Sequence, residues 1–122
     1  MDKPHKRLLV WQKSVALVTR VYGLTKTLPI EERYGLTTQM RRAAVSVASN
    51  IAEGAARNTK KDFANFLHNA QGSLSELDTQ LDISVELGLL AQSERADLDR
   101  ELLAVDRMLS GLIRSLRRSP GS

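Results

Sequence analysis

Between residues 5 and 119 the chain contains one proline, Pro29. Proline lacks a backbone donor and clashes with the preceding helical turn, so its near absence from so long a stretch leaves room for long helices. No segment alternates apolar and polar residues with period two, and the apolar positions recur at steps of three and four. The clearest run is Leu98, Leu102, Val105, Leu109, Leu112 and Leu116, which alternates steps of four and three without a miss. Such a run is the buried seam of a helix in a bundle, and the fold expected is all-α.

Four helices follow, at about 10–28, 36–56, 60–87 and 94–116. The first carries Trp11, Val15, Val18 and Tyr22 on one stripe and Leu17, Val21, Leu24 and Leu28 on the adjoining one, before Pro29 stops it. This arc is wider than the roughly 100° that one packed face needs, so the helix is covered either by its own bundle alone or also by a neighbouring subunit. The second places Leu36, Met40, Ala43, Ala44, Val47 and Ile51 on one face, a row of mostly small residues. The third opens at Thr59, an N-cap whose partner three positions on is Asp62, turns Phe63, Leu67, Ala70, Leu74, Leu77 and Leu81 inward, and ends at Gly88. Ser93 is the expected cap of the fourth. Short connections between long amphipathic helices force antiparallel neighbours, so we expect an antiparallel up-down-up-down four-helix bundle, one domain over 1–122, with frayed basic tails at residues 1–7 and 117–122.

A chain of 122 residues with 42% hydrophobic and 26% charged residues has the balance of a soluble globular protein, and no apolar run approaches the roughly 20 residues that span a bilayer. Cysteine is absent, which excludes disulfide frameworks, Cys-based zinc sites, iron–sulfur clusters and thiol catalysis. No charged-then-apolar leader stands at the N-terminus, and a cytoplasmic address is expected. The net charge of +4 conceals a strong segregation. Residues 1–61 hold twelve Lys/Arg against four Asp/Glu, residues 62–106 hold two against ten, and residues 107–122 hold four against none. A basic half suits nucleic acid, and a basic face with an acidic face on one molecule equally suits head-to-tail self-association.

Residues for catalysis are hard to find. A di-iron bundle needs Glu-x-x-His on two helices; His5 lies in the N-terminal tail, and His68 follows Asn65 at that spacing. The glycines are scattered and form no phosphate-binding loop, and Gly72-Ser73-Leu74-Ser75-Glu76 lacks the second glycine and the strand of a nucleophile elbow. We therefore expect no enzyme and no cofactor, the one carboxylate pair worth weighing being Glu53 with Glu76.

Two polar features remain. Gln39, Arg42, Ser46, Asn50, Glu53 and Arg57 recur at steps of three and four along the second helix, as do Asn69, Ser73, Glu76 and Gln80 along the third. If the chain reverses near Asn58, antiparallel partners have numbers summing to about 118, which sets Arg42 opposite Glu76 and Asn50 near Asn69. The stripes then form either a buried, mutually satisfied seam or an ordinary solvated face. Secondly, Lys3, Lys6, Arg7 and Lys13 at the start and Arg114, Arg117 and Arg118 at the end come together if helices one and four are antiparallel, with Arg41, Lys60 and Lys61 elsewhere. The opposing account is the helix dipole, which by itself favours arginines at the end of helix four. With five aromatics, mostly at core positions, any contact with RNA or DNA runs through phosphates.

The stretch from Gln39 to Gly54, QMRRAAVSVASNIAEG, followed by Phe66-Leu67, Ala70, Gly72-Ser73-Leu74 and Glu76-Leu77, resembles the bacterial four-helix bundle proteins encoded in intervening sequences of 23S ribosomal RNA genes. The likeness runs from about Leu8 to Leu116 and is most specific over the second helix; Val47 replaces a usual isoleucine. The resemblance implies a small cytosolic bundle assembling into rings of five, a homopentamer with no established activity and no catalytic residue. The accessory protein of diversity-generating retroelements is similar in fold and works with a reverse transcriptase and nucleic acid. The expectation is a non-enzymatic self-assembling scaffold that engages structured RNA or DNA, with an accessory partner of a reverse transcriptase as the alternative.

Overall fold

The computed structural model describes residues 1–118. A short 3-10 turn, Pro4–Arg7, leads into α1 (Leu9–Thr25); a second, Ile30–Glu32, precedes α2 (Leu36–Ala55), and α3 (Lys60–Glu86) and α4 (Gln92–Arg118) complete the chain. Among the described residues there is no strand.

The helix ends show how closely local chemistry sets these bounds. Thr59 Oγ1 accepts the Asp62 amide at 3.1 Å, the cap expected at the start of α3. At its other end Gly88 adopts φ +75, and the amides of Leu89 and Gly88 reach the carbonyls of Ser84 and Val85, both at 2.9 Å. That is the Schellman arrangement, which needs a left-handed residue where glycine stands. α4 departs from expectation: it starts before Ser93, and Glu94 Oε1 accepts the Ala91 amide at 3.0 Å. A carboxylate reaching back thus satisfies the end that the Ser93 hydroxyl was expected to cap. α1 stops at Thr25, and the Thr27 and Leu28 amides turn back onto Leu24 and Thr25 ahead of Pro29. The tails are also more ordered than expected. Residues 4–7 pack against α1 and α2, with the His5 ring edge-on to Trp11 at 4.9 Å, and Arg117 and Arg118 continue α4; residues 119–122 lie outside the described residues.

Each helix runs antiparallel to the next. Arg41 Nε donates to Thr25 Oγ1 at 2.9 Å between α2 and α1, the Ser46 and Ser73 hydroxyls lie 2.9 Å apart between α2 and α3, and Gln71 Nε2 donates to Ser110 Oγ at 2.8 Å between α3 and α4. An Arg20–Glu101 ion pair closes the square between α1 and α4. Leu17, Met40, Ile51, Leu67, Leu77, Leu81, Leu98 and Leu109 fill the centre. The small α2 face lets α3 come close: a Cβ on Gly54 would stand 2.8 Å from Phe66 Cβ and 2.9 Å from Phe63 Cδ1. The wide arc of α1 divides, with Leu17 and Val21 buried while Val15 and Tyr22 emerge at the surface, and Leu28, beyond the helix end, is buried as well.

Candidate nucleic-acid interface

Antiparallel packing gathers the start of the chain, the α2–α3 turn and the last turn of α4 at one end of the bundle. Lys3, Lys6, Arg7, Arg114, Arg117 and Arg118 are all exposed there, and the structure adds Lys60 and Lys61, expected elsewhere, and Arg57, expected on the polar stripe of the second helix. Any up-down bundle that starts α1 at this end must also place the α2–α3 turn there, so topology was the available signal. Nine cations face Asp2, Glu53 and Asp62, a formal excess of +6. Several are held in place: Arg7 lies 3.5 Å from Asp2, Arg57 lies 3.9 Å from Glu53 with its guanidinium 4.6 Å above the Phe66 ring, and Arg117 Nη2 donates to His68 Nε2 at 3.0 Å. The C-termini of α2 and α4 lie here together with the N-termini of α1 and α3, so the helix dipoles largely offset one another and the side chains set the excess of positive charge. No stacking platform accompanies them, since Trp11, Phe63 and Phe66 are half-buried and the most exposed aromatic, Tyr34, lies in the α1–α2 loop at the far end. Arg41 is not part of this cluster; it sits 4.4 Å above the Tyr22 ring on the α1–α2 face.

The polar stripes meet only in the middle of the α2–α3 contact. Beside the Ser46–Ser73 pair, Asn50 Nδ2 donates to Ser46 O at 2.8 Å and to Ser46 Oγ at 3.0 Å. Gln80 is buried, its Nε2 donating to Glu76 Oε1 at 3.2 Å while its Oε1 is unpaired. Gln39, Arg42, Glu53, Asn69 and Glu76 are exposed. The expected buried Arg42–Glu76 pair is therefore corrected: among the described residues no ion pair joins them. The register is as expected, Ser46 and Ser73 summing to 119. Each step of four, however, advances about 40° round a helix, so Arg42 lies about 80° farther round than Asn50, out in solvent. The same register sets Glu53 opposite residue 66, ten residues or about 15 Å along the axis from Glu76. Carboxylates that share a glycosidic bond lie within about 10 Å of each other, so Glu53 and Glu76 do not form such a pair.

The 23S rRNA-intervening sequence protein family matches this chain over residues 6–111. The chain belongs to that family. Lys3, Arg114, Arg117 and Arg118 of the basic end lie outside the matched residues. A crystal structure from Bacteroides thetaiotaomicron, of a protein with unknown function from the S23 ribosomal protein family, superposes with a TM-score of 0.80 at 21% identity, covering 87% of this chain and 96% of that one. At that identity the likeness shows the fold. No curated protein matches the chain, and no helix among the described residues is long and apolar enough to cross a membrane.

In this family member the most heavily paired side chain lies away from the basic end. Arg95 is buried between α3 and α4, with Nε 3.0 Å from Asp82, Nη1 2.6 Å from Asp99 and Nη2 on Asp78. Burial pushes the guanidinium pKa down, the hydrogen bonds to Asp82 and Asp78 together with the negative charges of Asp78 and Asp99 push it up, and the net shift is upward. Sequence reasoning missed this cluster, although the spacing of four between Asp78 and Asp82 and again between Arg95 and Asp99 was there to be read.

Proposed function

We propose that this protein is a non-enzymatic, self-assembling four-helix scaffold whose basic end docks on the phosphates of structured RNA or DNA. The observation that carries the reading is the formal excess of +6 at one end of the bundle, where no aromatic platform offers base stacking. Long basic side chains on an ordered end suit a phosphate backbone and carry little sequence preference. Self-assembly is supported by the segregation of charge along the chain, and the ring of five is what the family resemblance implies. A cyclic assembly would multiply a weak contact by presenting several basic ends at once.

The test is anisotropy of labelled duplex RNA and duplex DNA against the full chain at low and high salt. A protein neutralising about five phosphates should lose on the order of a hundredfold or more in affinity between about 50 and 200 mM salt. Replacing Lys3, Lys6, Arg7, Arg114, Arg117 and Arg118 with glutamine should abolish binding without changing the fold. Absence of binding at low salt, or binding indifferent to the six substitutions, would refute the phosphate contact. Light scattering that returns only the 13.5 kDa monomer at micromolar concentration would refute the assembly.

A further inference from the structure

In the square packing the α1–α2 face and the α3–α4 face lie on opposite sides of the bundle. They differ in chemistry. The α3–α4 face holds an open groove of about 450 Å³ with Leu74, Leu102 and Leu103 in its floor and Asp78, Asp99 and Asp106 along its rim. Leu103 is 48% exposed on this face. The rim carries net negative charge: its three carboxylates Asp78, Asp99 and Asp106 stand against the single charge of Arg95, which Asp82 also shares. The α1–α2 face presents the reverse. Val15, Tyr22 and Val45 are 39%, 40% and 41% exposed, and Arg41 lies over Tyr22. α1 has no acidic residue and α2 has Glu53 alone, at the basic end, so the middle of this face carries positive charge without a counter-charge.

We propose that the α3–α4 groove of one copy seats the α1–α2 face of a second copy, Val15, Tyr22 and Val45 covering Leu103 while Arg41 meets the carboxylate rim. The proposal rests on the self-assembly reading and specifies which faces carry it. Two faces of opposite charge on one chain, one baring Leu103 and the other Val15, Tyr22 and Val45, are self-complementary in the front-to-back sense, and each copy keeps one of each kind free for a further neighbour. A face about 30 Å long and two helices wide, roughly 20 Å, presents some 600 Å² in projection and more along its relief. That is close to the roughly 800 Å² per partner of a stable interface.

Front-to-back contacts have a signature that same-face contacts lack. Val45→Asp removes one face and Leu103→Lys the other, both at surface positions that leave the core intact, with circular dichroism to verify folding. Light scattering should give one discrete multiple of 13.5 kDa for the natural chain and the monomer for each variant alone. An equimolar mixture should give a dimer and nothing larger, because each variant retains the face that the other lacks. A monomeric natural chain overturns this proposal together with the assembly reading. A natural chain that assembles while both variants assemble equally well overturns the faces and leaves assembly standing. Two monomeric variants whose mixture stays monomeric overturn the front-to-back pairing.

Discussion

Replacing Arg95 with alanine strips one cation from three carboxylates at once, and the structure allows the cost to be worked out. The guanidinium is buried, whereas the side chains of Asp78, Asp82 and Asp99 are 54%, 65% and 60% exposed and recover most of their hydration when it goes. Each pair therefore contributes near the value for a surface pair, about 0.5 kcal/mol, and the three together about 1.5 kcal/mol. Loss of the buried aliphatic stem adds about 1 kcal/mol. The total of about 2.5 kcal/mol corresponds to a Tm drop of about 8–12 °C for a chain of this length. A cation whose pKa is raised in the folded state stabilises fully below its unfolded pKa and loses that contribution only as pH climbs through the folded value, far above neutrality. The penalty should accordingly be flat between about pH 6 and pH 9. Arg95→Lys keeps the charge but offers a compact ammonium in place of a planar fork, so it should melt between the other two proteins. Thermal unfolding followed by circular dichroism at three pH values is the assay. An Arg95→Ala protein melting within about 2 °C of the natural chain, or an Arg95→Lys protein indistinguishable from it, would show that the cluster is ornamental.

Glu76→Ala removes an exposed carboxylate whose hydrogen-bond partner is Gln80, and should cost less than about 1 kcal/mol by thermal melting; a loss of 3 kcal/mol or more would mean a buried ion pair after all. Gly54→Ala drives a methyl group against Phe66 and Phe63, an overpacking cost of about 1–3 kcal/mol that alanine's better helix propensity, worth about 1 kcal/mol, reduces to a net loss of up to about 2 kcal/mol. The readout is a lower urea midpoint with an unchanged slope, and a stabilised variant would contradict the close approach.

What was legible in the sequence was whatever a few neighbouring residues decide. Thr59 with Asp62 and Gly88 with the turn behind it are local devices, and both ends of α3 stand where those residues put them. The α4 seam was legible from periodicity over Leu98, Leu102, Val105 and Leu109, which are buried, but in the last turns Ile113 is buried while the expected Leu112 and Leu116 are half-buried. Ser93 misled because two side chains competed for one helix end, and the longer carboxylate of Glu94 reached it. Arg42 misled because spacing alone conceals the slow rotation of a stripe around its helix. Arg95 was passed over for another reason: its burial depends on Asp78 and Asp82 arriving from α3, which no window along α4 contains. The membership of Lys60 and Lys61 in the basic end is likewise a fact about topology and not about their neighbours.

The close fit of Gly54 against Phe63 and Phe66 also bears on the order in which the molecule is built. α2 and α3 are joined by residues 56–59 alone, so their first contacts span few bonds and lose little chain entropy, whereas Arg20 and Glu101 close α1 onto α4 across 81 positions. We expect the α2–α3 hairpin to be the nucleus on which the outer helices condense. Stopped-flow refolding should then find that Gly54→Ala mainly slows folding, while Arg20→Ala mainly hastens unfolding; the opposite partition would place the nucleus at the α1–α4 edge. A nascent chain that nucleates this way holds its family-matched second helix against the third before α4 has left the ribosome, so the acidic-rimmed groove comes into being only at the last step of synthesis.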